Sequence, residues 1–267
     1  MKWKLVIVKR LIHIYFKLRN SRFGWWFLNR KYKYEGKGVK ELKRTGIYVA
    51  SLSELGFDLK DFKYEIKGDV KSNKPFLTYL WDKSPVVEDN AFFRSALNEK
   101  VLDIVNSYMG IRSKLYYATL NLTKPSEGLV GSQNWHRDEG DRKILKVFIY
   151  LTDVDEDSGP FMYVKESVKG LKYGKLYPQY APEGNYPTGQ IPDYSVMTGK
   201  AGTVIFCDTT GLHRGGKGTK ERVMFTAAYY APSSISLVPK LKGGTTFETT
   251  YNKYDFSRRL AKKYFSL

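Results

Sequence analysis

From Lys114 to Tyr230 the chain runs as short β-forming segments punctuated by glycine and proline, and that pattern leaves few folds open. Leu115 to Leu122 is rich in Leu, Tyr and Thr. Ile144 to Leu151 is a nearly continuous apolar run, interrupted by Lys146, and reads as a buried strand. Phe161 to Val164, Thr203 to Phe206 and Arg222 to Tyr230 read as three more strands. Short strands set apart in this way specify an all-β sandwich or jelly roll. Residues 168–200 break the pattern. They carry many Gly, Pro and Tyr with no period, and such a stretch reads as an inserted lid.

The N-terminal half supplies helices. Phe93, Leu97, Val101, Ile104, Val105 and Tyr108 recur at helical spacing, so a core helix is expected from Asp89 to about Gly110. Ser51 to Phe62 holds a cap residue and apolar Leu52, Leu55, Leu59 and Phe62. Residues 31–47 are Lys/Gly-rich and read as a linker, followed by a short strand over Gly46 to Ala50. Lys253 to Phe265 reads as a closing basic helix. The expected organisation is an extension over residues 1–45 and a single domain over 46–267, mainly β with flanking helices.

Within that frame one stretch carries chemistry: Trp135-His136-Arg137-Asp138. In an extended chain, residues two apart point to the same side. His136 and Asp138 therefore present an imidazole and a carboxylate together. His213, 75 residues after Asp138, supplies a second imidazole. Two histidines and one carboxylate leave positions open on a metal, the arrangement of non-haem Fe(II) oxygenases. The chain has three histidines, and the remaining one, His13, lies in a basic stretch without a neighbouring carboxylate. His-x-Asp alone is common. Its weight comes from His213 after a Gly-led strand and from Arg222 opening the next one. Arginine's planar fork suits the far carboxylate of a 2-oxo diacid. Strand alternation puts Thr226 on the face of Arg222. The same residues also permit two satisfied core histidines, or a three-ligand zinc hydrolase. Arg222 has no evident task in the zinc case.

Four stretches together resemble the phytanoyl-CoA dioxygenase (PhyH) family. They are Trp135 to Asp138, Val147 to Pro160, Ala201 to Phe206, and His213 to Arg222. The likeness spans about residues 45–232. It implies a double-stranded β-helix, the cupin-like jelly roll, with Fe(II) as cofactor, 2-oxoglutarate as co-substrate and O2 consumed. It implies metal ligands at His136, Asp138 and His213, and Arg222 on the 2-oxoglutarate carboxylate. Asn121 falls where relatives place a co-substrate contact. Tyr163 falls where they place a pocket aromatic, with ordinary barrel packing as the alternative. Asp138 stands where related halogenases have a small residue, which implies hydroxylation or another hydrogen-abstraction outcome. Two departures touch the substrate side. Lys165-Glu166-Ser167-Val168 replaces a Pro-Gly-Ser-His loop, and Gly215 stands where a serine is frequent.

Charge bears on the partner. Residues 1–50 hold 14 Lys/Arg against 2 Asp/Glu, and residues 251–267 hold 5 against 1, leaving +2 of the net +18 for the body. A nearly neutral body argues for a small-molecule substrate, of lipid, sugar-pathway or similar class. Nucleic-acid dealkylases of this superfamily usually carry a second arginine six residues after the first, and here that position is Ala228. The basic leader has Leu11, Ile14, Tyr15 and Leu18 at helical spacing, with Trp25 and Trp26 beyond. That suits either a helix packed on the domain or peripheral membrane contact through residues 1–30. Its apolar runs are too short for a signal peptide or a membrane span. The one cysteine, Cys207, fits a reducing, cytoplasmic setting.

Overall fold

The computed structural model describes residues 14, 18, 21–28, 31–66, 76–80, 91–174, 191 and 193–232. Its centre is a six-stranded antiparallel sheet of order β1-β7-β4-β9-β3-β2. The strands are β1 (Ile47–Ser51), β2 (Leu77–Tyr79), β3 (Lys114–Thr123), β4 (Leu145–Tyr150), β7 (Thr203–Asp208) and β9 (Arg222–Tyr230). A three-stranded sheet of order β6-β5-β8 faces it, from β5 (Phe161–Tyr163), β6 (Ser195–Met197) and β8 (His213–Gly215). This is the double-stranded β-helix expected from the sequence.

Alternation along the strands builds two cores. Leu120, Leu122, Val147, Ile149, Val204, Phe206, Val223 and Phe225 form one face of the large sheet. Helices α3 (Ala91–Ala96) and α4 (Glu99–Met109) cover that face with Phe92, Val101, Leu102 and Val105. The opposite residues Phe148, Tyr150, Ile205, Cys207 and Met224 pack between the sheets against Phe161 and Tyr163. Because the strands are buried on both faces, they read in sequence as apolar runs without a strict period of two.

Several expectations shift at their edges. The single helix from Asp89 is two helices. Asn98 breaks it by capping α4, its side chain accepting from Lys100 N at 2.9 Å, and Asp89 itself lies outside the described residues. Gly110 ends α4 in the left-handed conformation (φ 74°). Ser51 to Phe62 forms turns and a 3-10 segment at Leu59–Asp61 rather than a helix. The expected linker contains α2 (Lys37–Thr45), which buries Val39 and Leu42 on one side and ends at left-handed Gly46. Four lysines and arginines on a nine-residue helix hid its two apolar anchors. The C-terminal part of the expected lid is strand β6, paired to β5. The helix expected over Lys253 to Phe265, together with residues 175–190 of the expected lid, lies outside the described residues. No helix among the described residues is long and apolar enough to cross a membrane.

If α2 belongs to the body, Leu42→Ala destabilises the protein by about 2–5 kcal/mol, the cost of a cavity at a fully buried leucine. Urea unfolding measures it. A change below about 0.5 kcal/mol, the level of an exposed position, would return residues 37–45 to a linker.

Candidate active site

The three candidate ligands come together through backbone pairing. His136 N–H donates to the His213 carbonyl at 2.9 Å, and His213 N–H donates back to the His136 carbonyl at 3.0 Å. Two residues on, Asp138 N–H donates to the Thr209 carbonyl at 2.8 Å. The His-x-Asp stretch is thus a short extended segment laid beside the approach to β8, so His136 and Asp138 share a side. Buried Trp135 anchors it against Val164 and Leu212. The Arg214 guanidinium lies 5.0 Å from the Trp135 ring and 6.0 Å from that of Tyr194. Arg137 ties the segment down from its other side, donating to the Thr210 carbonyl at 2.8 Å and to that of Ser167.

One ligand atom from each of His136, Asp138 and His213 lies within 4.8 Å of the others, close enough to share a metal ion. His136 Nε2 is 3.9 Å from Asp138 Oδ1, and His213 Nε2 is 4.0 Å from Oδ2. Both rings donate from Nδ1 to a carbonyl, His136 to Asn134 at 2.8 Å and His213 to Gly211 at 2.9 Å. A carbonyl only accepts, so the Nδ1 proton is fixed and Nε2 keeps the lone pair a metal needs. Two core histidines would have no reason to aim these lone pairs at one carboxylate. Burial, then His136 close by, holds the His213 pKa down at about 3.

Lys146 joins the set. It interrupts the apolar run of β4, and its Nζ lies 2.6 Å from Asp138 Oδ2. Burial pushes the Asp138 pKa upward, but the Lys146 ammonium overrides it and leaves the carboxylate ionised well below the usual range. The neighbouring histidines pull the same way only when charged, and His213 is neutral, so Lys146 is the effective counterion. The sequence signal was a lone lysine inside a buried strand. Phe161 was also not singled out, and its ring lies 5.6 Å from the His213 ring.

The remaining candidates separate into two groups. Arg222, Thr226 and Asn121 lie on the face of the large sheet that looks toward the small one. Their cross-strand partners are Thr123 for Arg222, Thr119 and Phe148 for Thr226, and Met224 for Asn121. Arg222 is buried, its guanidinium 5.9 Å from the Tyr150 ring, and its Nε and Nη1 have no hydrogen-bond partner among the described residues. A desolvated guanidinium with idle donors is costly unless an anion meets it. Asn121 Oδ1 is likewise buried without a partner, while its amide donates to Thr119 Oγ1 at 3.1 Å. Tyr163 takes the packing option. It is fully buried and its hydroxyl donates to the Asp208 carbonyl at 3.0 Å, within the barrel packing.

Two outcomes follow. Asp138→Ala lowers the affinity for Ni(II) or Co(II) by about 100-fold or more, since it removes the one charged ligand of the set; isothermal titration measures it, and unchanged affinity would place the metal elsewhere. In the metal-free protein His213 stays neutral down to about pH 3, whereas an unfolded histidine takes up its proton near 6.5. The unfolded state therefore binds more protons in that window, and stability falls as pH drops from about 6.5 toward 3. His213→Gln flattens this slope in acid-dependent urea unfolding.

The fold is shared with SnoN, a non-heme alpha-ketoglutarate-dependent epimerase from nogalamycin biosynthesis. The TM-score is 0.53 at 16% identity, over 77% of this chain and 88% of that one. A second SnoN structure, in complex with Fe3+, alpha ketoglutarate and nogalamycin RO, gives 0.53 at 15% identity over 73% and 82%. HygX from Streptomyces hygroscopicus, with nickel, 2-oxoglutarate and hygromycin B bound, gives 0.48 at 16% over 74% and 88%. At such identities the likeness concerns the fold. No curated protein sequence matches the chain. The family model described as phytanoyl-CoA dioxygenase (PhyH) matches residues 64–224, more than half of the sequence and all three converging ligand candidates, so the chain belongs to the PhyH family.

Proposed function

We propose that this chain is an Fe(II)- and 2-oxoglutarate-dependent dioxygenase that hydroxylates a small molecule of lipid, sugar-pathway or similar class, releasing succinate and CO2. The observation that carries the reading is the convergence of two imidazole Nε2 atoms on one carboxylate. The buried Arg222 guanidinium with idle nitrogens supports it from the same inner face. When bound, Fe(II) with 2-oxoglutarate and O2 supplies the oxidising power for hydrogen abstraction.

The residues divide the remaining work. His136, Asp138 and His213 hold the metal, with the Nδ1–H donations fixing both rings. Lys146 keeps Asp138 ionised and occupies its Oδ2 side. Arg222 receives the far carboxylate of 2-oxoglutarate, and Asn121 and Thr226 add polar contacts along the same face. Phe148, Tyr150 and Phe161 line the space between the sheets and keep it dry, which strengthens the Arg222 charge pair.

Asp138 favours hydroxylation over halogenation because it fills the position a halide needs. Tyr194, beside Trp135, and Tyr173 belong to the stretch proposed to cover the substrate. Nucleic-acid dealkylation on the same fold is disfavoured by Ala228, a buried residue paired with Tyr117 and Lys146, and by the nearly neutral body. The single buried thiol fits a cytoplasmic enzyme.

Succinate release across a metabolite panel identifies the substrate. Arg222→Met weakens 2-oxoglutarate binding roughly 100-fold, the loss expected when one partner of a buried charge pair is removed. Anaerobic titration of the Fe(II) protein, followed by its visible absorbance, reads this directly. Undiminished 2-oxoglutarate binding in that variant would sink the assignment of Arg222.

A further inference from the structure

Helix α1 (Arg22–Leu28) is divided by its sequence into two faces. Trp25 is buried and its indole N–H donates to the Met109 carbonyl at 3.2 Å, fastening the helix to the end of α4. Phe23, Trp26, Phe27 and Leu28 point away. Phe23 is 73% exposed and Phe27 71%, and their rings stack at 5.8 Å. Ile14 and Leu18, four apart, are also exposed apolar residues just upstream. Folding ordinarily hides aromatic side chains, and a contiguous exposed group of them marks an interaction surface.

The charge around this surface selects the partner. Residues 1–33 contain ten Lys/Arg and no Asp or Glu. Arg22 and Lys31 are exposed at the two ends of α1, and the Lys31 ammonium sits 3.4 Å over the Trp26 ring. Arg142, on the domain body, lies near enough to Arg22 for the two charges to repel. A second copy of this chain would bring the same positive charge to the contact and is opposed by it. A nucleic acid would use the cations and the rings but leaves Ile14, Leu18 and Leu28 without a purpose. An anionic bilayer uses all of them: apolar side chains enter the headgroup boundary, Trp sits at that depth, and the cations meet lipid phosphates.

We propose that α1 and the exposed residues just before it form a docking surface for an anionic membrane, held rigidly to the oxygenase body by Trp25. This stands apart from the metal-centre reading, because none of its residues belongs to that centre.

The test is co-sedimentation of the full chain with phosphatidylcholine vesicles, with and without phosphatidylglycerol. The protein binds the anionic vesicles and binding weakens as salt is raised, since surface charge is screened. Replacing Phe23, Trp26 and Phe27 together by Ser lowers the affinity roughly tenfold or more, while 2-oxoglutarate turnover is retained. Trp26→Ser alone gives a smaller loss in the same direction and covers the case where the triple variant folds poorly. Failure of the unmodified chain to bind either vesicle overturns the proposal, as does equal binding by the unmodified chain and the Trp26→Ser variant. Either failure leaves the oxygenase reading untouched, and loss of metal binding leaves this one untouched.

Discussion

The reciprocal pair of backbone hydrogen bonds between His136 and His213 is the interaction on which the rest depends. It joins two segments far apart in the chain and sets their imidazoles with ring centroids 4.2 Å apart. The Asp138–Thr209 backbone bond ties down the same segment two residues on and brings in the carboxylate. Side-chain attraction does not bring the ligands together. The β-helix does, and the ligands ride on it. One buried and two half-buried polar groups held by backbone geometry form a prepared site, so little ordering remains when a cation enters.

Electrostatics then stabilise an arrangement that burial would disfavour. Asp138 is an anion in a half-buried position, and Lys146 near the start of β4 offsets it at 2.6 Å. The price of that lysine is a break in an otherwise apolar strand. Arg222 shows the opposite balance: it is buried, its guanidinium 5.9 Å from the Tyr150 ring, and its Nε and Nη1 have no partner among the described residues. Lys146 meets a carboxylate within the chain, whereas two Arg222 nitrogens meet none among the described residues. That contrast is what motivates the proposed role of Arg222, which its position in sequence alone does not distinguish from that of Lys146.

Much of this was legible before the coordinates. β3, β4 and β9 fall within a residue or two of the runs that announced them, because each is long and rich in β-formers. The meeting of His136, Asp138 and His213 was legible from residue type and order, and so was Arg222 as the first residue of β9. Strands β2, β6 and β8 were not, since each is three residues long and none sits in an apolar run like the one that marked β5. Helix α2 was hidden because its lysines resemble a linker and only Val39 and Leu42 mark its buried side. Asn98 was passed over as a helix interruption because the apolar spacing continues across it. Trp25 and Trp26 looked like one aromatic pair, yet helical geometry sends the first into the core and leaves the second outside. Lys146 was visible as an anomaly but became informative only once Asp138 was found beside it.

X-ray absorption of the protein loaded with one equivalent of Fe(II) or Co(II) under anaerobic conditions tests the central claim most directly. Nitrogen and oxygen scatterers are expected at about 2.0–2.2 Å, with outer scattering from two imidazole rings. That scattering should drop to one ring when His213 is replaced by Ala. A bound metal without imidazole scattering, or with the same two-ring signal in the His213→Ala protein, would contradict it.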